Sequence, residues 1–104
     1  MGTLEGRLAL VTGASRGIGE HCARSLAEQG ARVALAARSQ EDLNRVAEDL
    51  PHDPVTIVAD LAVQGAGAEL ANTAVEALGG IDILVNNAGA VSYTHLTLPT
   101  IYSV

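Results

Sequence analysis

The 104-residue sequence contains no lysine, phenylalanine or tryptophan, and its only cysteine is Cys22. Each absence excludes something. Without lysine the chain cannot build a P-loop, whose lysine must reach the nucleotide phosphates. A lone cysteine excludes an internal disulfide, and with His21, His52 and His95 scattered it leaves no group at metal-ligand spacing. Cys22, at helical spacing from Ile18 and Leu26, reads as a small core residue. Positive charge is also scarce. Six arginines face twelve Asp and Glu, a formal charge of −6, which argues against a nucleic-acid or anionic-membrane surface. No apolar run approaches the roughly 18 residues that a membrane span requires. Met1 to Leu8 is neither basic nor long enough for a signal peptide, so a cytoplasmic protein is expected.

What is abundant is Ala, Leu and Val, within a hydrophobic share of 48%. Helices built from them must pack closely through small side chains, which suits a doubly wound sheet. The length allows one domain at most, with a modest core.

Leu8 to Val11 is a short apolar run of the kind shown by a parallel strand covered on both faces. It runs into Gly13, Gly17 and Gly19 and then into a helical pattern. Glycines here turn the chain tightly and let backbone approach a pyrophosphate, while the helix start presents N–H groups and a positive dipole end to an anion. In that helix Ile18, Cys22 and Leu26 share a face with Ala23 and Ala27, and Glu20, Arg24 and Glu28 lie opposite at ion-pair spacing. Gly30 ends it.

Arg32 to Ala37 reads as a second strand. Ser39 offers an N-cap, with Asp42 three residues on, for a helix whose stripe is Leu43, Val46, Ala47 and Leu50, closed by Pro51 and Pro54. Val55 to Ala59 is a third strand with Asp60 at its carboxyl end, where open parallel sheets bind ligands. Val63 to Gly67 reads as a loop, Ala68 to Leu78 as a helix stopped by Gly79-Gly80, and Ile81 to Val85 as a fourth strand entering Asn86-Asn-Ala-Gly89. The order is βαβαβαβ, with crossover connections.

The end of the second strand selects the cofactor. A fold that binds NAD commonly carries Asp or Glu there to accept from the ribose 2′-hydroxyl. This chain has Ala37 followed by Arg38. A guanidinium pairs with a 2′-phosphate at two points, and Arg16 in the glycine loop can join it. The competing reading is two solvated surface arginines. Asp60 can accept from the adenine amino group or can cap the following loop.

Thr12-Gly-Ala-Ser-Arg-Gly-Ile-Gly19 resembles the cofactor loop of the short-chain dehydrogenase/reductase family, and Asn86-Asn-Ala-Gly89 looks like that family's second signature. The resemblance spans roughly residues 4 to 90. It implies a three-layer, doubly wound (Rossmann) parallel sheet of class α/β, present here as its amino-terminal half. It implies a cofactor site made of Gly13, Ala14, Ser15, Arg16, Gly17, Ile18, Gly19, Arg38, Asp60, Leu61, Asn87, Ala88 and Gly89. Basic residues at the Arg16 and Arg38 positions go with NADP(H) in preference to NAD(H). Asn87, Ala88 and Gly89 are implied to run along the adenosine ribose, while Asn86 ties strands together and Asp82 is structural. The loop and the Ala37-Arg38 pair are similar to those of 3-oxoacyl-carrier-protein reductases. A small-molecule carbonyl or alcohol substrate and a homo-oligomeric parent follow as expectations, with no nucleic-acid or membrane partner.

Family members use a Ser, and a Tyr followed four residues later by a Lys that lowers the Tyr pKa. Tyr93 has Thr97 at that spacing, Tyr102 runs into the last residues, and lysine is absent, so no catalytic residue is assigned and the chain as it stands is expected to be inactive. A dinucleotide-sensing module without chemistry is the competing reading. A methyltransferase-type fold would want an acid where Ala37 stands.

The character changes after residue 90. Both tyrosines and three of the seven threonines fall in the last fourteen positions. Val91-Ser-Tyr-Thr-His-Leu-Thr-Leu-Pro-Thr100 back-translates to GTC TCT TAT ACA CAT CTG ACG CTG CCG ACG, which resembles a transposon-end adapter used in DNA sequencing. Residues 1–90 are therefore expected to be a partial NAD(P)-binding domain, and 91–104 a foreign tail that adds nothing to the sheet.

Overall fold

The computed structural model describes residues 3–87 and 100–103. Its elements are β1 (Leu8–Thr12), α1 (Gly17–Glu28), β2 (Arg32–Ala37), α2 (Gln40–Ala47), β3 (Val55–Val58), α3 (Ala66–Leu78), β4 (Ile83–Asn86) and β5 (Thr100–Ser103). The strands form one parallel sheet in the order β3-β2-β1-β4-β5.

Strand alternation sorts the core into two layers. Ala9 and Val11 of β1 and Val33 and Leu35 of β2 pack with Ala23 and Ala27 of α1 and Leu43 and Val46 of α2. Leu10, Ala34, Ala36 and Leu84 point the other way and meet Leu70, Ala71, Ala74 and Leu78 of α3. Both faces are thus covered, which is why these strands read as continuous apolar runs. Alanine is the commonest residue at the helix contacts, so α1 and α3 can lie close to the sheet without aromatic rings.

Several element ends differ from expectation. The α3 helix starts at Ala66, so Ala66 and Gly67 belong to it; Gly67 is buried, and packing overrides the weak helix propensity of glycine. The apolar stripe of α1 is shorter than its periodicity suggests. Ile18 is 58% exposed, because in the first turn of α1 it is Gly19 that packs against the Gly13 backbone while Ile18 beside it projects outward. Cys22 and Leu26 are partly buried against that layer. At β4 the regular pairing begins at Ile83, although the Asp82 N–H already donates to the Leu8 carbonyl at 2.7 Å.

One expectation is corrected outright. The tail does enter the sheet: Thr100–Ser103 lies parallel to β4, with Ile83 opposite Thr100 and Asn86 opposite Ser103. Without it β4 would be a bare edge of unpaired N–H and C=O groups, and Thr100-Ile-Tyr-Ser103 follows the last proline with residues that suit a strand. The stretch Thr94 to Leu98, in which no strand is expected, lies outside the described residues.

Candidate functional site

Strands β2 and β3 lie to one side of β1 and β4 to the other, so the chain changes direction at the β1/β4 boundary. The carboxyl end of a parallel sheet opens a crevice at such a point. A cavity of about 460 Å³ occupies this end, lined by residues that follow β1, β2, β3 and β4.

Its floor is the glycine loop. Gly13 has φ +61, a left-handed value that glycine adopts without strain. The Ala14 N–H donates to the Ala36 carbonyl at 3.0 Å, which fastens the loop to β2. Gly19 is the close-approach position. A Cβ on it would collide with the Gly13 carbonyl oxygen and lie 2.8 Å from Asn87 Nδ2, so only glycine allows α1 to start against the end of β1. Arg16, the N-cap of α1, is extended, and no side chain caps the helix. An anion can take that place.

Thr12 and Asn87 join the loop to β4. The Thr12 hydroxyl is fully buried, accepts from the Asn87 N–H at 2.9 Å, and lies 3.3 Å from Asn86 Oδ1 and 3.4 Å from the Val85 carbonyl. Asn87 Nδ2 donates to the Gly13 carbonyl at 3.4 Å.

Arg38, Ser39 and Asp42 form the wall beyond β2. Ser39 Oγ accepts from the Asp42 N–H at 3.3 Å and caps α2, the expected contact. Among the described residues, neither Arg16 nor Arg38 has a hydrogen-bonded or ion-paired side-chain partner, so both guanidinium groups stand available at the cavity. The wall beyond β3 is Ala59, Asp60, Leu61 and Ala62. Asp60 Oδ1 accepts from the Ala62 N–H at 3.0 Å, a local turn that leaves its second oxygen as an acceptor. Asp60 therefore shapes its own loop, one of the two roles the sequence suggested, and also lines the cavity, as the other requires.

Of the expected site residues, Gly13, Ser15, Arg16, Arg38, Asp60, Leu61 and Asn87 come together around one cavity. Ala14 is buried beneath the loop, and Gly17, Ile18 and Gly19 form the start of α1 beside it. Ala88 and Gly89 lie outside the described residues. Ser39, Asp42, Ala59 and Ala62 also line the cavity. The sequence points to Ser39 only as a helix cap, yet a cap directly after Arg38 is itself the signal that it faces the same space. Asp82 lies at the opposite end of the sheet, where its carboxylate accepts from the Leu8 N–H at 2.9 Å and closes the start of β1. No helix among the described residues is long and apolar enough to cross a membrane.

The chain is similar to known proteins in sequence and fold. A family model described as short chain dehydrogenase matches residues 7–101. An uncharacterized oxidoreductase of Staphylococcus haemolyticus is 40% identical over 98 residues, which are 93% of this chain and 42% of that protein. The chain thus spans well under half the length of such relatives. Among solved structures, a 3-oxoacyl (acyl-carrier-protein) reductase from Agrobacterium tumefaciens with NADP bound is 39% identical with a TM-score of 0.77, over 90% of this chain and 38% of that one. A 7α-hydroxysteroid dehydrogenase complexed with NADH is 34% identical with a TM-score of 0.78, over 84% of this chain and 35% of that one.

Proposed function

Because the chain belongs to the short-chain dehydrogenase family of NAD(P)-dependent oxidoreductases, we propose that it is the amino-terminal, cofactor-binding part of an enzyme that prefers NADP(H) to NAD(H). Similar folds hold either cofactor, so the preference must come from particular side chains. The observation that carries the reading is Arg38. It stands unpaired at the end of β2, beside Ser39 and Arg16, where a ribose-binding carboxylate would otherwise be.

In this reading the glycine loop and the start of α1 take the pyrophosphate. Arg38, Arg16 and Ser39 take the 2′-phosphate. The adenine amino group donates to Asp60 with the Leu61 backbone beside it, and Asn87, followed by Ala88 and Gly89, borders the adenosine ribose. The nicotinamide supplies hydride chemistry, while the protein positions it. The parent's reaction is carbonyl and alcohol interconversion on a small molecule, with 3-oxoacyl-carrier-protein reduction favoured by the Ala37-Arg38 pair and the loop sequence. The parent is a homo-oligomer in the cytoplasm. The chain as it stands performs no turnover, since it has no lysine for the Tyr-Lys pair.

Residues 91–104 are foreign in origin in this reading, the support being that their amino-acid sequence admits an adapter-like back-translation, even though Thr100–Ser103 pairs with β4. Genomic DNA that departs from these residues after codon 90 and continues into a Ser and a Tyr-x-x-x-Lys supports the enzyme reading; a native stop soon after favours a sensing module. The binding test is direct. NADPH fluorescence should rise and saturate on titration with the chain and be displaced by 2′-AMP; no change at any concentration refutes the assignment.

A further inference from the structure

We infer that Arg45, in the last turn of α2, is a positioning residue for the cofactor loop, acting through the carbonyl of Ser15. Arg45 Nη2 donates to that carbonyl at 2.9 Å across 30 residues of sequence. No backbone N–H among the described residues donates to it, because Ser15 lies after β1 has ended and before α1 begins. The arginine supplies what neither the sheet nor the helix does.

The Arg45 side chain also faces a carboxylate of α1. Its Nη1 lies 3.8 Å from Glu20 Oε1. Glu20 Oε2 accepts from Arg24 at 2.8 and 3.0 Å, and Arg24 Nη1 reaches Asp49 at 3.2 Å. The Glu20 hydrogen bond raises the Arg24 pKa above its ordinary value. The planar guanidinium of Arg45 therefore turns one arm toward Glu20 of α1 and donates with the other to the loop, a two-way geometry that an ammonium does not reproduce.

The geometric consequence follows from the peptide group. The Ser15–Arg16 bond is trans, so a carbonyl drawn toward Arg45 turns the Arg16 N–H the opposite way. Arg16 is the N-cap of α1, and its N–H is the first of the set that the proposed pyrophosphate site would present. Arg45 thus fixes the direction of a donor it never touches. This inference rests on the cofactor reading above, and it separates Arg45 from Arg38: Arg38 meets only the 2′-phosphate, whereas loop geometry matters to every dinucleotide.

The test is calorimetric titration of the full chain, wild type, Arg45→Met and Arg45→Lys, with NADPH, NADH and 2′-AMP, together with hydrogen exchange of the loop amides without ligand. Arg45→Met should weaken NADPH and NADH equally, by about fivefold to thirtyfold, a tenfold change being about 1.4 kcal/mol. Affinity for 2′-AMP, which carries no pyrophosphate, should change by less than about twofold, while loop amides exchange faster and the thermal midpoint holds. Arg45→Lys should recover part of the loss. Unchanged dinucleotide affinity overturns the inference. So does a loss shared by 2′-AMP and absent for NADH, which would make Arg45 a phosphate ligand. If wild type binds neither dinucleotide, the cofactor reading falls and loop exchange decides alone: unaltered exchange in Arg45→Met overturns the positioning role.

Discussion

Thr12 and Asn87 stand 75 residues apart in the sequence and are joined by a 2.9 Å hydrogen bond, with the Asn87 backbone N–H donating to a fully buried Thr12 hydroxyl. That one oxygen ties the end of β1 to the end of β4, the two strands that flank the crevice. It also sits under the loop whose Gly13 carbonyl accepts from the Asn87 amide.

Thr12→Val keeps the shape and removes the hydroxyl. Removing the buried hydroxyl leaves the half-buried Asn87 N–H without its acceptor, so urea unfolding should show the variant destabilised by about 1 kcal/mol, with Thr12→Ser close to wild type. Equal stability of Thr12→Val and wild type would show that the strands do not depend on this contact.

Gly17 and Gly19 make different demands. Alanine at Gly19 would drive its Cβ into the Gly13 backbone, whereas a Cβ on Gly17, at φ +61, would meet nothing within 4 Å. Gly17→Ala should therefore cost only the strain of a left-handed alanine, about 1 kcal/mol, and Gly19→Ala considerably more. Thermal midpoints of the two variants check the order; a larger drop for Gly17→Ala would contradict it.

The β5 pairing predicts that residues 100–103 matter physically, whatever their origin. A chain ending at residue 99 should melt lower and scatter more light on standing, because the edge of β4 is then bare. An unchanged midpoint and a clear solution would mean that β5 adds nothing to the sheet.

Much of this is legible in the sequence because its signals are local. The glycine loop between an apolar run and a helical stripe, the Ser39 cap and the terminating Gly79 each depend on neighbours within a few residues. Hydrophobic alternation then decides which strand residues meet which helix. What escapes depends on partners distant in sequence. The exposure of Ile18 is one case, because periodicity does not show that Gly19 makes the contact with Gly13 in the first turn of α1. Gly67 reads as a breaker until packing claims it. The β5 strand forms against an edge that exists only once β4 is placed, and Arg45 carries no motif, because its partners Ser15 and Glu20 lie elsewhere in the chain.

The central claim is that Arg38 makes this a site for a 2′-phosphorylated dinucleotide, and its most direct test is the ratio of NADPH to NADH affinities in the wild type and in Arg38→Ala. A charge-assisted contact contributes about 1.5 to 3 kcal/mol, so wild type should bind NADPH roughly ten to a hundred times more tightly than NADH. In Arg38→Ala that ratio should collapse through loss of NADPH affinity alone, with NADH binding unchanged. Equal affinities in the wild type, or a ratio that survives the substitution, would contradict the assignment.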